Sequence, residues 1–413
     1  MFLKRSIIVI FIYININMEC IHCLITNDLC EFKNDICIFC NMHKELDTKN
    51  LDFNLVLQKI KLQNCKYDCI IGISGGQDSS TLLYAAVKKW NLKPLVIHFN
   101  NHWNTDNAIH NMKQLVKKLN VDFIEYYVNK EEYDNLNKAF LMSGTPDCDI
   151  PNDIAMTKLI YETCEKYNIK YILNGHCYKT EGSTPKVWTY MDAKYIKDIY
   201  KCFFKKNLTN YPLFEFKDQL HYNKLEIKQI RPFHYQNINR FELDKEMKLF
   251  IDYKSYGWKH GENSYTDFVG SYLLPRKFGI DKRIVYLSAR IRTGLLTKDK
   301  AKNILNCEPS FDTDIIGDEY MDLIDSPIVD RSKYDSYNFK EANWMIYYLY
   351  LCGTVPYTFY IKYSQKLDEF DYHSLEDVSE EDLRKIKDTI INTVYDDNEL
   401  EEVRKELSKE LNN

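Results

Sequence analysis

The stretch Asp68–Ser80, DCIIGISGGQDSS, leaves its part of the chain few ways to fold. Cys69–Ile73 is a short apolar run of the kind a buried strand requires, Ser74-Gly75-Gly76 is a turn, and a helix opens at Asp78. Glycines let the backbone turn sharply and let a ligand approach the main chain closely. The helix start that follows offers unpaired N–H groups and the positive end of a dipole. Strand, turn and helix start together predict a cradle for phosphate. Ser74, Ser79 and Ser80 add hydroxyl donors, and Asp78 is placed to hold the Mg²⁺ that accompanies nucleotide phosphates. No G-x-x-x-x-G-K-[ST] run occurs, so the loop is not of the Walker type and phosphoryl transfer is not its default chemistry.

Apolar runs and amphipathic stretches then alternate. Helix Ser79–Trp90 leads to strand Pro94–Phe99, helix Asp106–Leu119 and strand Val121–Tyr126, which runs into a polar stretch. Helix Asp153–Tyr167 and strand Lys170–Leu173 follow, and a linker helix over about 51–64 precedes the set. Repeated β-α units predict an α/β fold with a doubly wound parallel sheet, whose ligand sits at the carboxyl ends of the strands. Three segments fall there: the glycine loop, His98-Phe-Asn-Asn-His-Trp103, and Asn174–Gly182. His98 and Asn100 offer donors and acceptors where adenine or ribose would lie, although either can equally cap its own loop. Glu181 can be a base, a Mg²⁺ ligand or a solvated turn residue.

Ahead of the sheet stand Cys20-Ile-His-Cys23 and Cys37-Ile-Phe-Cys40, two C-x-x-C pairs thirteen residues apart. Such knuckles can set four thiolates tetrahedrally around Zn²⁺, with an iron–sulfur cluster as the alternative. So small a segment cannot bury a core alone, so the metal would supply its folding energy.

The pattern Ser-Gly-Gly-x-Asp-Ser resembles the PP-loop of ATP pyrophosphatases, which bind the pyrophosphate of ATP there and transfer AMP to a substrate oxygen. Gly175-His176 resembles the Gly-His that these enzymes place near the nucleotide. The succession CxxC, CxxC, SGGQDSS, HFNNHWNTDNA, GTPDCDIPND, ILNGHCYKTEG, TPKVWTYMD, Tyr256–Glu262 and Leu274–Arg283 is similar to the N-acetyl sugar amidotransferases, over about Cys20 to Ile304. Cys177 stands where that family commonly has Asn, and fewer residues separate Trp258 from Lys259-His260. The resemblance implies an adenine nucleotide α-hydrolase-like fold with an N-terminal zinc knuckle and a mainly helical C-terminal domain. It implies ATP and Mg²⁺ as cofactors and Zn²⁺ at Cys20, Cys23, Cys37 and Cys40. Ser74, Gly75, Gly76, Asp78, Ser79, Ser80, His98, Asn100, Gly175 and His176 are the expected nucleotide contacts. Asp78, Ser79, Lys259 and Glu181 are the expected catalytic group. The implied reaction adenylylates an N-acetyl oxygen and replaces it with ammonia, giving an acetamidino group on a bacterial surface sugar of the pseudaminic, legionaminic or diacetamido-uronic type. The acceptor is then an N-acetylated sugar or its nucleotide-sugar. No glutaminase domain is legible, which implies ammonia from a separate glutaminase partner of the paired imidazole-glycerol-phosphate-synthase type, or free ammonia. A PP-loop tRNA thiolase, with Cys148, Cys164 or Cys177 as sulfur carrier, is the rival reading.

Composition bounds the partners. At 413 residues with a net charge of −5, the chain lacks the basic excess of a protein that tracks a phosphate backbone, so no nucleic acid is expected. Thirteen cysteines, an odd count, suit reduced thiols and a metal site, and a cytoplasmic setting. The apolar run Ile7–Ile16 is too short to span a bilayer and no membrane association is expected. Residues 1–17 read as an extension before a natural start at Met18. The expected units are a knuckle over 18–50, an ATP-binding domain over 51–205, a substrate domain over 206–372 and a charged amphipathic tail over 373–413. Within the third unit, helices are expected over Phe241–Tyr253, Tyr265–Leu273, Arg283–Thr293, Lys298–Leu305 and Asn343–Leu351. There Arg276, Lys277, Lys282 and Arg283 can face a sugar acid or a diphosphate, or merely end helices in solvent. The tail's apolar stripe suits a docking helix or a homodimer surface.

Overall fold

The computed structural model describes residues 18–48, 52–63, 65–215, 218–219, 221–222, 225–257 and 259–337. The expected extension 1–17, the helix over 343–351 and the tail from 373 lie outside them.

The sheet has five strands, all parallel, in the order β5-β4-β3-β6-β7. They are β3 (Cys69–Gly72), β4 (Pro94–Asn100), β5 (Asp122–Tyr127), β6 (Tyr171–Leu173) and β7 (Lys228–Ile230). The chain leaves β3 for β4 and β5 on one side, then crosses back to lay β6 and β7 on the other. The loops after β3 and β6 therefore part at the carboxyl edge and open a crevice, the usual ligand position in such sheets. Side chains alternate across the sheet, so Ile70, Leu95 and Ile97 enter one core while Cys69, Ile71 and Val96 enter the other. Both faces are covered, which is why these strands read as continuous apolar runs.

One face carries α2 (Phe53–Lys61), α3 (Gln77–Lys88), α4 (Asp106–Leu119) and α8 (Arg240–Ile251), and the other α5 (Lys130–Ser143), α6 (Ile150–Tyr167) and α7 (Ala193–Phe204). The sheet extends past residue 205: β7 pairs with β6 in register Ile172↔Gln229, and α8 after it packs on α3. Thr81 Oγ1 donates to Asp244 at 3.2 Å, and Tyr84 and Lys89 both hold Glu246. The segment from Phe203 is thus in part a connection into a further β-α unit.

The N-terminal knuckle is a hairpin of β1 (Phe32–Lys33) and β2 (Ile36–Cys37) running into α1 (Ile38–Thr48). Asn34 and Asp35 both take positive φ, as a two-residue hairpin turn demands. Its side chains share the main core rather than forming one of their own.

After α8 a strap, 254–257 and 259–263, crosses the glycine loop and leads into α9 (Ser264–Asp267), a π-helical turn (Phe268–Leu273) and α10 (Leu274–Phe278). Pro275 has no N–H to give the preceding turn, and Arg276 Nη1 caps the Ser271 carbonyl instead at 3.2 Å. Helices α11 (Arg283–Arg292), α12 (Lys298–Leu305) and the short α13 (Asp318–Met321) follow. Among the described residues no helix is long and apolar enough to cross a membrane.

Candidate active site

Ser74–Gly76 leaves β3 and turns into α3 as the motif requires. Gly75 has φ +76°, and a Cβ there would lie 2.1 Å from the Ala108 carbonyl oxygen of α4. Gly175, after β6, approaches so closely that a Cβ would lie 2.9 Å from the Asp78 carbonyl oxygen. The first approach seats the β3 loop on α4, and the second brings the β3 and β6 loops edge to edge.

The turn is a ring of donors. Ser79 Oγ accepts from Ser74 N at 3.3 Å, Ser74 Oγ accepts from Gly76 N at 3.2 Å, and the Tyr256 hydroxyl accepts from Gln77 N at 2.9 Å. The Glu262 carboxylate also lies in this ring, with Ser74 Oγ donating to its Oε1 at 3.3 Å. Its other oxygen is shielded from solvent without a partner, and burial raises its pKa. A carboxylate taken up at this turn through the Ser74 hydroxyl points to a place for an anion there.

Asp78 stands in the first turn of α3. Arg240, at the start of α8, pairs with one of its oxygens, and Lys259 Nζ lies 3.0 Å from the other. Burial alone would raise this carboxyl, but Lys259 and Arg240 prevail and hold it below the usual carboxylate range. Both oxygens face cations, so Asp78 presents no open position for magnesium. Lys259 also lies 3.8 Å from Glu181 Oε2, while Glu181 Oε1 accepts from Cys177 N at 3.1 Å. Burial pushes Glu181 up to about 7 despite Lys259. Asp78, Lys259, Glu181 and Arg240 form one charge cluster, of which Lys259 and Glu181 line the cleft.

The other expected contacts divide. His98 lines the cleft, its Nδ1–H donating to Ile73 O at 2.7 Å and its Nε2 accepting from Asn104 Nδ2 at 3.0 Å. His176 also lines it, held as the Nε2–H tautomer because Gly182 O, 3.1 Å away, can only accept. His234 therefore donates to His176 Nδ1 across 3.1 Å. Asn100 is not brought in: its amide donates to Glu125 at 2.8 Å, its carbonyl caps His102 N at 3.0 Å, and it lines a separate groove between α4 and β5. Ser80 is wholly buried, its hydroxyl has no hydrogen-bond partner, and it does not line the cleft.

The cleft, of about 380 Å³, runs from Ser74 past Glu181 and Lys259 to a far wall of Asn263, Thr266, Asp267, Ser271, Lys282 and Tyr286. Of the four basic residues expected to meet the substrate, Lys282 and Arg283 line it. Arg283 is spent: it chelates Asp281 and caps the carbonyls of Ile304, Leu305 and Cys307. Lys277 bonds Ser326, and Arg276 stacks on Tyr272. Arg240, Tyr256 and Glu262 have roles that sequence reasoning did not assign. Tyr256 and Glu262 stood inside a motif with no chemistry attached, and Arg240 carried no local signal.

Cys20, Cys23, Cys37 and Cys40 are buried with all sulfurs within 4.8 Å of one another. The closest pairs are 3.7 Å (Cys20–Cys40) and 3.6 Å (Cys23–Cys37). A single ion with metal–sulfur bonds of about 2.3 Å spaces tetrahedral thiolates about 3.75 Å apart, so the set can hold one metal ion.

Residues 262–348 match the family model of the LPS biosynthesis protein WbpG-like C-terminal domain. Uncharacterized protein MJ1599 of Methanocaldococcus jannaschii is 25% identical over 162 residues, 38% of this chain and 57% of that protein. The tRNA-specific 2-thiouridylase MnmA 2 of Fusobacterium nucleatum is 30% identical over 122 residues, 28% of this chain and 35% of that protein. The chain thus spans little more than half of one relative and about a third of the other. Among solved structures, the U34-tRNA thiolase NcsA from Methanococcus maripaludis with its [4Fe-4S] cluster overlaps with a TM-score of 0.31 at 13% identity, over 75% of this chain and 96% of that one.

Proposed function

We propose, for a chain that joins a PP-loop sheet to a WbpG-like C-terminal domain of lipopolysaccharide biosynthesis, an ATP-dependent amidotransferase that turns the N-acetyl group of a sugar into an acetamidino group. The observation that carries the reading is one cleft with two unlike walls: Ser74 of the glycine turn with Glu181 and Lys259 of the charge cluster on one, and residues of the family-matched segment on the other.

An amide oxygen is a poor leaving group, so its replacement needs activation. The N-acetyl oxygen attacks the α-phosphorus of ATP, the bond to the bridging oxygen breaks, and pyrophosphate leaves with that electron pair. Ammonia adds to the imidate carbon, and AMP departs with the former amide oxygen. The chain's part is positioning and charge stabilisation, with no covalent nucleophile. Ser74, Ser79 and the loop amides receive the departing pyrophosphate, displacing the Glu262 carboxylate from Ser74 Oγ. Lys259 and Arg240, fixed by Asp78, supply positive charge beside it. Glu181, with its pKa near neutrality, is suited to take the proton from incoming ammonium. Magnesium would arrive on the nucleotide's phosphates and neutralise their charge, and Glu262, which makes no salt bridge among the described residues, is the carboxylate that could help to hold it. At Cys20, Cys23, Cys37 and Cys40 the single-ion spacing favours zinc over a cluster, and its role is structural. A separate glutaminase supplies ammonia, and the setting is the cytoplasm.

The thiolase reading takes its support from the likeness to the 2-thiouridylase. Against it, Cys148, Cys164 and Cys177 are buried, burial raises each thiol's pKa, and none lines the cleft. The deciding experiment incubates the protein with ATP, Mg²⁺, ammonium and a panel of N-acetylated sugars and nucleotide-sugars, read by mass spectrometry. Expected is AMP formation that depends on the sugar, and a product lighter by the difference between O and NH. AMP formation that depends on tRNA instead would replace the proposal with the thiolase.

A further inference from the structure

The cysteine cluster lies against the C-terminal end of α11, and so does the loop that carries Glu181. Arg292, in the last turn of α11, reaches Cys40 Sγ with Nη1 at 3.9 Å. The same guanidinium lies against Gly182, where a Cβ would come within 3.2 Å of Nη2. Beside it, Thr293 Oγ1 lies 3.4 Å from Lys179 O, with the Arg290 and Ala289 carbonyls nearer to its one proton. Arg292 makes no ion pair with a carboxylate among the described residues, and its Nε is shielded from solvent without a partner. A cation so placed costs several kcal/mol unless an anion offsets it. The anion at hand is the cluster, since four thiolates around a divalent ion keep a net double negative charge. Were the sulfurs protonated thiols, the guanidinium would have no counter-charge. The rest of the knuckle is fastened to the same helices: Leu24 N donates to Ser288 Oγ at 3.1 Å, and Lys298 Nζ to Cys20 O at 2.7 Å.

We propose that Arg292 is a positioning residue that ties the metal-loaded cysteine cluster to the Glu181 loop. Its charge answers the thiolates and its planar fork braces Gly182, so that the metal orders the loop that carries a catalytic carboxylate. The proposal concerns metal retention and loop order, and neither needs ATP or a sugar to be measured.

The test uses the full metal-loaded chain and two variants, Arg292→Met, which keeps the stem without the charge, and Arg292→Lys, which keeps the charge without the fork. Metal release into excess chromogenic chelator is timed, and hydrogen exchange of backbone amides 177–184 is followed by mass spectrometry, with β3 and β4 as internal reference for an intact fold. R292M is expected to release metal roughly tenfold or more faster, the scale of losing an outer-shell partner. Its loaded form is expected to exchange at 177–184 as fast as the stripped wild-type protein. R292K is expected to release metal near the wild-type rate, with loop exchange between the two. Wild-type release from R292M overturns the proposal, and faster release with an unchanged loop overturns the coupling. Should R292M fail to fold, R292K decides: wild-type loop exchange in that variant overturns the bracing role.

Discussion

Asp78 meets Arg240 and Lys259 together, and the Asp78→Asn substitution separates charge from shape at that point. Asparagine keeps the volume but leaves two neighbouring cations without their common anion, so neither is held where pyrophosphate departs. Pyrophosphate release is expected to slow by about 10²–10³-fold, the scale of losing one preorganised charge contact. An unaltered rate in a folded D78N protein would remove the cluster from the mechanism. Glu181 makes a different demand, because its pKa of about 7 puts a protonation step in the working range. Burial favours the neutral acid, so the group ionises as pH rises through about 7, and only the ionised form can accept a proton. Turnover with ammonium should climb through that region in the wild type. In E181Q the climb should vanish, leaving a lower rate that does not respond there, as a pH series of AMP formation reads directly. A wild-type climb in E181Q would assign the proton to another group.

The glycine turn poses its test as an element. Gly75 combines φ +76° with a site for Cβ only 2.1 Å from the Ala108 carbonyl, so Gly75→Ala strains the turn and also pushes α4 away. The left-handed conformation alone costs about 1–2 kcal/mol, and the contact with main chain adds to it. Gly76 has φ −71°, and its Cβ would meet side chains alone, the end of Glu262 at 2.7 Å and Ser74 Oγ at 3.0 Å. G75A is therefore expected to lower both Tm and ATP affinity, while G76A keeps Tm within a few degrees and loses affinity, as thermal melts with and without nucleotide will show. The motif made this element legible, because a buried strand, two glycines and a helix start each leave a local pattern. Helix α4 runs over the residues expected from the sequence, Asp106–Leu119, and the structure adds the Thr105 side chain as its cap. Helix α5 was read as polar because Glu131, Glu132, Asp134 and Lys138 hide a stripe of Tyr133, Leu136 and Phe140 behind its Asn129 cap. Strand β7 is three residues, Lys-Gln-Ile, with a single apolar side chain, and only its pairing with β6 makes it a strand. Arg240 lies 162 residues from Asp78, a separation at which sequence spacing has nothing to say.

Across the whole molecule, the segment after α13 returns to the sheet domain and clamps the loop between α5 and α6. Val329 N donates to Gly144 O at 3.0 Å, Ser326 Oγ to Leu141 O at 2.7 Å, and the Tyr334 hydroxyl to Ser143 O at 2.8 Å. At the centre Arg331 holds Asp147 through Nε at 2.7 Å and Nη2 at 2.9 Å. The Asp147 side chain has no exposure at all, and it also accepts from Tyr190 N at 2.8 Å and the Tyr195 hydroxyl at 3.1 Å. This fork joins the family-matched segment to the loop whose continuation, Asp149 and Asn152, lines the cleft. Arg331→Met keeps much of the side-chain volume but strands a carboxylate where water cannot reach it. Breaking a buried pair from one side costs about 3–5 kcal/mol, so Tm should fall by roughly 10 °C. Asp147→Asn added to R331M removes the stranded charge while keeping its acceptor oxygen for Tyr190 N. The double variant should therefore melt above R331M though below the wild type. Melting of the double variant at or below R331M would show that the clamp works through packing around Tyr195 and not through the ion pair.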